Sequence, residues 1–243
     1  MELIEALLLN LPEDQPVRSV LVGAHWTLVC SRHCGLASTI LGDQPHGEAL
    51  VRDAGRLHEK SAHELAQLAR SENLLEASLG VAAINSLLEV DEREAVEINA
   101  AEVLAERGQG KTIAMVGHFP FISRLRKSAG QLWVIEKRPV EGEYPAEAAG
   151  DLIPQSDVVA ITGSALINHT LDGLLAFCRP DATVMVLGPS TPLSPVLFDH
   201  GATILSGARV VDLEAVTRGV SQAASFKQME GTRLLTIVRP DWK

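Results

Sequence analysis

A chain of 243 residues, 46% of them hydrophobic, with a formal net charge of -10, can bury one or two substantial cores. It shows no basic patch for a polyanion, which disfavours nucleic acid as a partner, and no apolar run long enough to span a bilayer, so no membrane partner is expected. Three cysteines, Cys30, Cys34 and Cys178, are too few and too irregularly spaced for a disulfide framework, which makes a reducing cytoplasm the default location.

In chain order, MELIEALLLNLPED lacks the basic start and small-residue cleavage site of a signal peptide and reads as an amphipathic helix. VRSVLVG and HWTLVCS read as two strands joined at Gly23-Ala24, with GLASTIL a third. Residues 61–70 and 73–89 carry helical patterning, and Ala77, Val81, Ile84 and Leu88 recur on one face of the second. LLEASLGVAAINSLL is apolar nearly all round, as a central buried helix should be. The charged stretch DEREAVEINAAEVLAERGQG reads as a helix that ends in glycines. A boundary around residues 106 to 111 therefore divides an α+β domain, 1–108, from an α/β domain, 109–243.

Beyond Lys111 the rhythm is strand, helix, strand, helix. TIAMVG, LWVIEK, DVVAIT, ATVMVLG, ATILS and RLLTIVR are short apolar runs without clean alternation, as in a parallel sheet covered on both faces. This is a Rossmann-like pattern, and its ligands belong at the carboxyl ends of the strands. With the common strand order 3-2-1-4-5, the turns GHFPF and GPSTPLSP would face each other across the switch point.

The strand ends supply the candidate site residues. Gly117 and His118 follow the first strand. A single glycine, a bulky phenylalanine and Pro120, which has no N–H, do not make a phosphate cradle. Pro120 fits the first position of the following helix. His118 is a candidate acid–base group or metal ligand. Glu136, 19 residues after Gly117 in sequence, ends the second strand, where an acid binds ribose hydroxyls; it is also a candidate catalytic group and metal ligand, or a solvated partner of Lys137 or Arg138. Thr162 and Gly163 end the third strand, with Ser164 capping one helix that carries Asn168 near the mouth of the pocket. Gly188, Ser190 and Thr191 open a proline-stiffened loop suited to holding hydroxyls in place. Asn85 is the polar exception on the apolar helix and needs a partner in its own domain or in the cleft between domains. The run CSRHC is not a zinc site, since no second Cys/His cluster follows and an extended strand would point Cys30 and His33 to opposite faces.

VGHFPF, IEKRPVEGEYP, ITGSALINHT, GPSTPLSP and DHGATILSGARVVD together resemble, in order and spacing, the Rossmann-like domain of the putative heavy-metal chelation family. HWTLVCS, GLAST and LEASLGVAAINSLL resemble the enolase-N-terminal-like domain that accompanies it. The resemblance implies a two-domain protein whose interdomain cleft takes a small molecule or metal complex. The implied roles are metal chelation, or condensation or hydrolysis of pterin-, flavin- or siderophore-like compounds. A divalent transition metal is the candidate cofactor. The rival expectations are an enzyme using a nucleotide-like cofactor such as S-adenosylmethionine, with Glu136 on ribose, and a non-catalytic metal-handling scaffold. Whether the chain catalyses a reaction or self-associates is left open.

Overall fold

The computed structural model describes residues 2–42, 50–90 and 100–240. Helix α1 (Leu3–Leu9) leads to strands β1 (Ser19–Val22), β2 (Trp26–Cys30) and β3 (Cys34–Ser38), which form an antiparallel sheet in the order β1-β2-β3. Two helices follow, α2 (Ala62–Ala66) and α3 (Leu74–Leu87). Ser61 opens α2 with a reciprocal capping box to Glu64. Asn73 caps α3 by accepting from the N–H groups of Leu75 and Glu76. Of the charged stretch before residue 110, residues 91–99 lie outside the described residues; the rest forms α4 (Ala100–Arg107).

The second half alternates β4 (Thr112–Val116), α5 (Ile122–Ser128), β5 (Gln131–Glu136), the short β6 (Tyr144–Pro145), α6 (Ala149–Leu152), β7 (Val158–Thr162), α7 (Leu171–Ala176), β8 (Thr183–Leu187), α8 (Val196–Asp199), β9 (Ile204–Val210), α9 (Leu213–Ser221) and β10 (Thr232–Val238). Among the described residues these strands make one seven-stranded sheet in the order β10-β9-β8-β7-β4-β5-β6, parallel except for β10. The fold is thus mixed α/β, with a mostly parallel sheet and a separate small antiparallel one.

The order corrects the expected winding. The first strand of the α/β half, β4, lies between the second, β5, and the third, β7, whereas the fourth, β8, lies beyond β7. This is the other doubly wound order, 2-1-3-4-5, and its switch point falls between β4 and β7. The turn facing Gly117-His118 is therefore Thr162-Gly163-Ser164, and the GPSTPLSP loop sits one strand further away.

Alternation along each strand sends its side chains to two different cores. Ile113, Met115, Val158, Ala160, Met185 and Leu187 pack with Leu104 and Leu125 of α4 and α5. Ala114, Val159, Ile161, Val184, Val186 and Leu205 join a cluster that runs without a break into Leu3, Leu7, Leu79, Val81 and Ile84 of the N-terminal half. The small sheet lies between α3 and α9: Val29 and Ala37 belong to the shared core, while Leu28, Cys30 and Leu36 pack with Val216 and Val220. Helix α3 is buried on nearly every side, as its composition requires. Gly35 lets β3 lie against the backbone of α3, since a Cβ there would collide with Ala82 O and Ser86 N.

Three local expectations are revised. The CSRHC run is a hairpin turn in which Cys30 pairs with Cys34 in register and is disulfide-bonded to it, so the extended reading and the premise of wholly reduced cysteines both fail at this turn. Helix α5 begins at Ile122, after Pro120 rather than on it. The segment from Ser164 to Cys178 is broken: a short 3-10 turn capped by Thr162 comes first, His169 adopts φ 60°, and α7 starts only at Leu171. The backbone reversal at His169 is what separates Asn168 from that helix.

Candidate functional site

At the carboxyl ends of β4, β5 and β7 the chain leaves a cavity of about 410 Å³. Its floor is apolar, formed by Val116, Ile135, Ala149, Ala165 and Leu174. His118, Glu136, Lys137, Thr162, Ser164 and Asn168 give it polar walls. An apolar floor beneath a few convergent polar groups is the usual composition of a small-molecule site.

Gly117 makes this convergence possible. Its φ of 107° is open to glycine and strained for other residues, and a Cβ there would stand 3.0 Å from Thr162 Cβ. The turn thus reverses directly against β7 and projects His118 outward, its ring 62% exposed. Nδ1 of His118 lies 2.9 Å from Oε1 of Glu143, whose side chain is only 5% exposed.

Across the cavity, the hydroxyls of Thr162 and Ser164 bond each other at 2.8 Å. Asn168, with its amide oriented to satisfy its neighbours, donates to Ala165 O at 3.2 Å and accepts from Lys137 Nζ at 3.3 Å. Glu136 accepts the backbone N–H of Lys137. The structure therefore brings together five sequence-predicted residues, Gly117, His118, Glu136, Thr162 and Asn168.

The other predicted residues stand elsewhere. Ser190 and Thr191 are 2% and 3% exposed, because the GPSTPLSP loop is pressed against the N-terminal half. Ser190 Oγ accepts from Ser38 N at 2.8 Å, and Ser190 O accepts from Asn85 Nδ2 at 3.3 Å. Asn85 also donates to Leu36 O. Gly163 is the contact point of two turns, since a Cβ there would meet the backbone N and Cα of Thr191. Gly188, at φ 111°, turns the chain into this seam. Asn85 Oδ1 and Thr191 Oγ1 are buried without a protein partner beside a cavity of about 20 Å³, the size of one water. Gly188, Ser190 and Thr191 do not line the β4/β7 cavity because the observed strand order carries their loop away from it, and Asn85 is bonded to that loop; Gly163 lies in the turn beside the cavity but is taken up by the contact with Thr191.

Three participants lie outside the residues that the sequence assigns to the site: Ser164, read only as a helix cap, Lys137 and Glu143. Lys137 was weighed only as a partner for Glu136, and its reach to Asn168 depends on the broken helix. Glu143 lies in IEKRPVEGEYP, where the one available signal was a turn-forming glycine, Gly142, now seen at φ 84°.

The donor set also bears on the metal expectation. Among the described residues, no three His, Cys, Asp or Glu side chains gather as a metal site would require. In the cavity, His118 and Glu136 are joined by the cationic Lys137. Two donors beside a cation do not complete a coordination sphere from protein atoms alone, so the residues present do not fit a resident metal held by the protein.

Comparison with known proteins agrees with this architecture. Residues 99–239 match the family DUF364 and residues 4–88 the family DUF4213, both described as putative heavy-metal chelation. An uncharacterised protein of Methanocaldococcus jannaschii is 29% identical over 204 residues, which cover 81% of this chain and 78% of that one. A DUF364-family crystal structure of unknown function from Desulfitobacterium hafniense superposes with a TM-score of 0.85 at 30% identity, covering 97% of both chains. Another from Pyrococcus horikoshii gives 0.82 at 23% identity, covering 98% of both, and shows the fold alone. No helix of the described residues is long and apolar enough to cross a membrane.

Proposed function

Since the chain belongs to the putative heavy-metal chelation family, we propose that it binds a small organic molecule with metal-coordinating groups, free or already carrying its metal, in the β4/β7 cavity. The observation that carries this reading is the convergence of His118, Glu136, Lys137, Thr162, Ser164 and Asn168 over an apolar floor. The floor suits a flat ring or short aliphatic body, and Lys137 suits an oxyanion of the kind that chelators use to hold metal. His118 supplies either a base for a proton on the ligand or one donor to a metal whose other positions the ligand fills. The metal is then cargo, and the protein recognises the complex. Condensation or hydrolysis of a pterin-, flavin- or siderophore-like compound is chemistry that such an acid–base site could serve in the cytoplasm.

The test is calorimetric titration of metal-stripped protein with nickel(II), copper(II) and zinc(II), each free and as its citrate complex, in parallel with His118→Ala. Tighter binding of the complex than of the free ion, lost in the variant, is the expected result. Binding of every probe unchanged by His118→Ala would overturn the reading.

A second reading rests on the position of Glu136 at the end of β5, beside the β4 turn. A carboxylate there would accept the hydroxyls of a ribose, and the cavity would then take a nucleoside without a pyrophosphate. Titration with S-adenosylmethionine distinguishes it: binding lost in Glu136→Ala and unaffected by metal would favour this alternative.

A further inference from the structure

The functional reading requires an atom of His118 that can meet a ligand, and the structure indicates which one. An ionised carboxylate only accepts hydrogen bonds, whereas a neutral imidazole donates from one nitrogen and accepts at the other. Glu143 is held in place by a tight turn: its N–H donates to Val140 O at 3.0 Å, and its Oε2 accepts from Val140 N at 3.1 Å. Gly142, at φ 84°, allows the reversal that places these groups together. Oε1 is thereby aimed at His118 Nδ1, 2.9 Å away. Glu143 does not itself line the cavity, and its side chain is nearly buried while the imidazole is open.

We propose that Glu143 is a positioning residue that fixes His118 as the Nδ1–H tautomer, so that unprotonated Nε2 is the atom offered to a ligand in the cavity. A carboxylate behind an imidazole sets which nitrogen carries the proton and makes the other a better base and a better donor. The assignment of Nε2 as the contact atom rests on the proposed binding role, but the tautomer does not.

The experiment is a long-range proton–nitrogen correlation spectrum of the full chain labelled with 15N-histidine. It is recorded about two pH units above the usual imidazole value of ~6.5, with His118→Ala identifying the signals among the eight histidines. Expected is an Nδ1–H pattern in the wild type, shifted towards Nε2–H in Glu143→Gln, whose single amide oxygen is taken by the Val140 N–H so that its NH2 group faces Nδ1, and replaced by a tautomer mixture in Glu143→Ala. An Nε2–H pattern in the wild type would overturn the proposal whatever the variants do. So would an unchanged Nδ1–H pattern in a Glu143→Ala protein whose remaining histidine signals are native. For nickel(II) citrate, a 10- to 100-fold weaker Kd in Glu143→Ala is the scale for losing such a partner. The expected tautomers in a protein that binds no probe would support this assignment and refute the functional reading.

Discussion

The β4/β7 cavity and the GPSTPLSP seam contain similar side chains and have opposite fates. Each follows a central strand of the same sheet, each turns on a glycine with positive φ, and each carries hydroxyl groups. At the cavity the polar groups line open space, whereas at the seam Ser190 is bonded to Ser38 and Asn85 is bonded to Ser190. Hydroxyls at the end of a strand therefore stay available to a ligand only where no second layer of protein covers them.

That contrast can be broken from the seam side first. Gly163→Val should have the largest effect: its added carbons meet the Thr191 backbone, so a loss at or above the upper end of the about 1–3 kcal/mol typical of overpacking is expected, measured as a fall in the urea midpoint. Ser190→Ala should cost about 1–3 kcal/mol by leaving the Ser38 N–H without its acceptor. A calorimetric Tm equal to that of the wild type would show that the seam bond is dispensable.

A smaller, conditional effect is expected at Glu76 on α3. Burial pushes its carboxyl up, but hydrogen bonds from the Arg52 side chain and backbone and from Ser71 outweigh this and hold it below the ordinary carboxylate value. A lowered folded-state value means that the contribution is present above the ordinary carboxylate range and lost as pH falls through the folded value. Tm should therefore drop more steeply on acidification in the wild type than in Glu76→Gln; parallel curves would contradict this. At the other extreme, His118→Ala should leave stability within about 0.5 kcal/mol, as for an exposed side chain, while ligand binding is lost. A large fall in the urea midpoint of this variant would make the histidine a structural element.

Much of the fold was legible because its elements are local. The apolar runs from TIAMVG to RLLTIVR, the all-round apolar α3 and the cap at Asn73 each depend on a few neighbouring residues. Strand order is not local, and the two common doubly wound orders share the same strand–helix rhythm. The expected order places Ser190 and Thr191 beside the first-strand turn, where they do not lie, whereas Gly117, His118, Glu136 and Thr162 line the cavity because strand ends point to the same edge in either order. Glu143 was missed because its role is defined by a turn geometry 25 residues from His118, and the Cys30–Cys34 pairing because hairpin register was not read from CSRHC.

The core shared by the two halves limits how a ligand can be taken up. Ala149, Ala165 and Leu174 line the cavity and also belong to the cluster that reaches Leu7, Leu79 and Ile84. Hinge closure of one half over the other would have to shear that cluster and wet its surfaces. If the proposed ligand binds there, the cavity receives it as a cup rather than as a jaw, through its mouth, and residence time is set by desolvation and by the contacts at the rim.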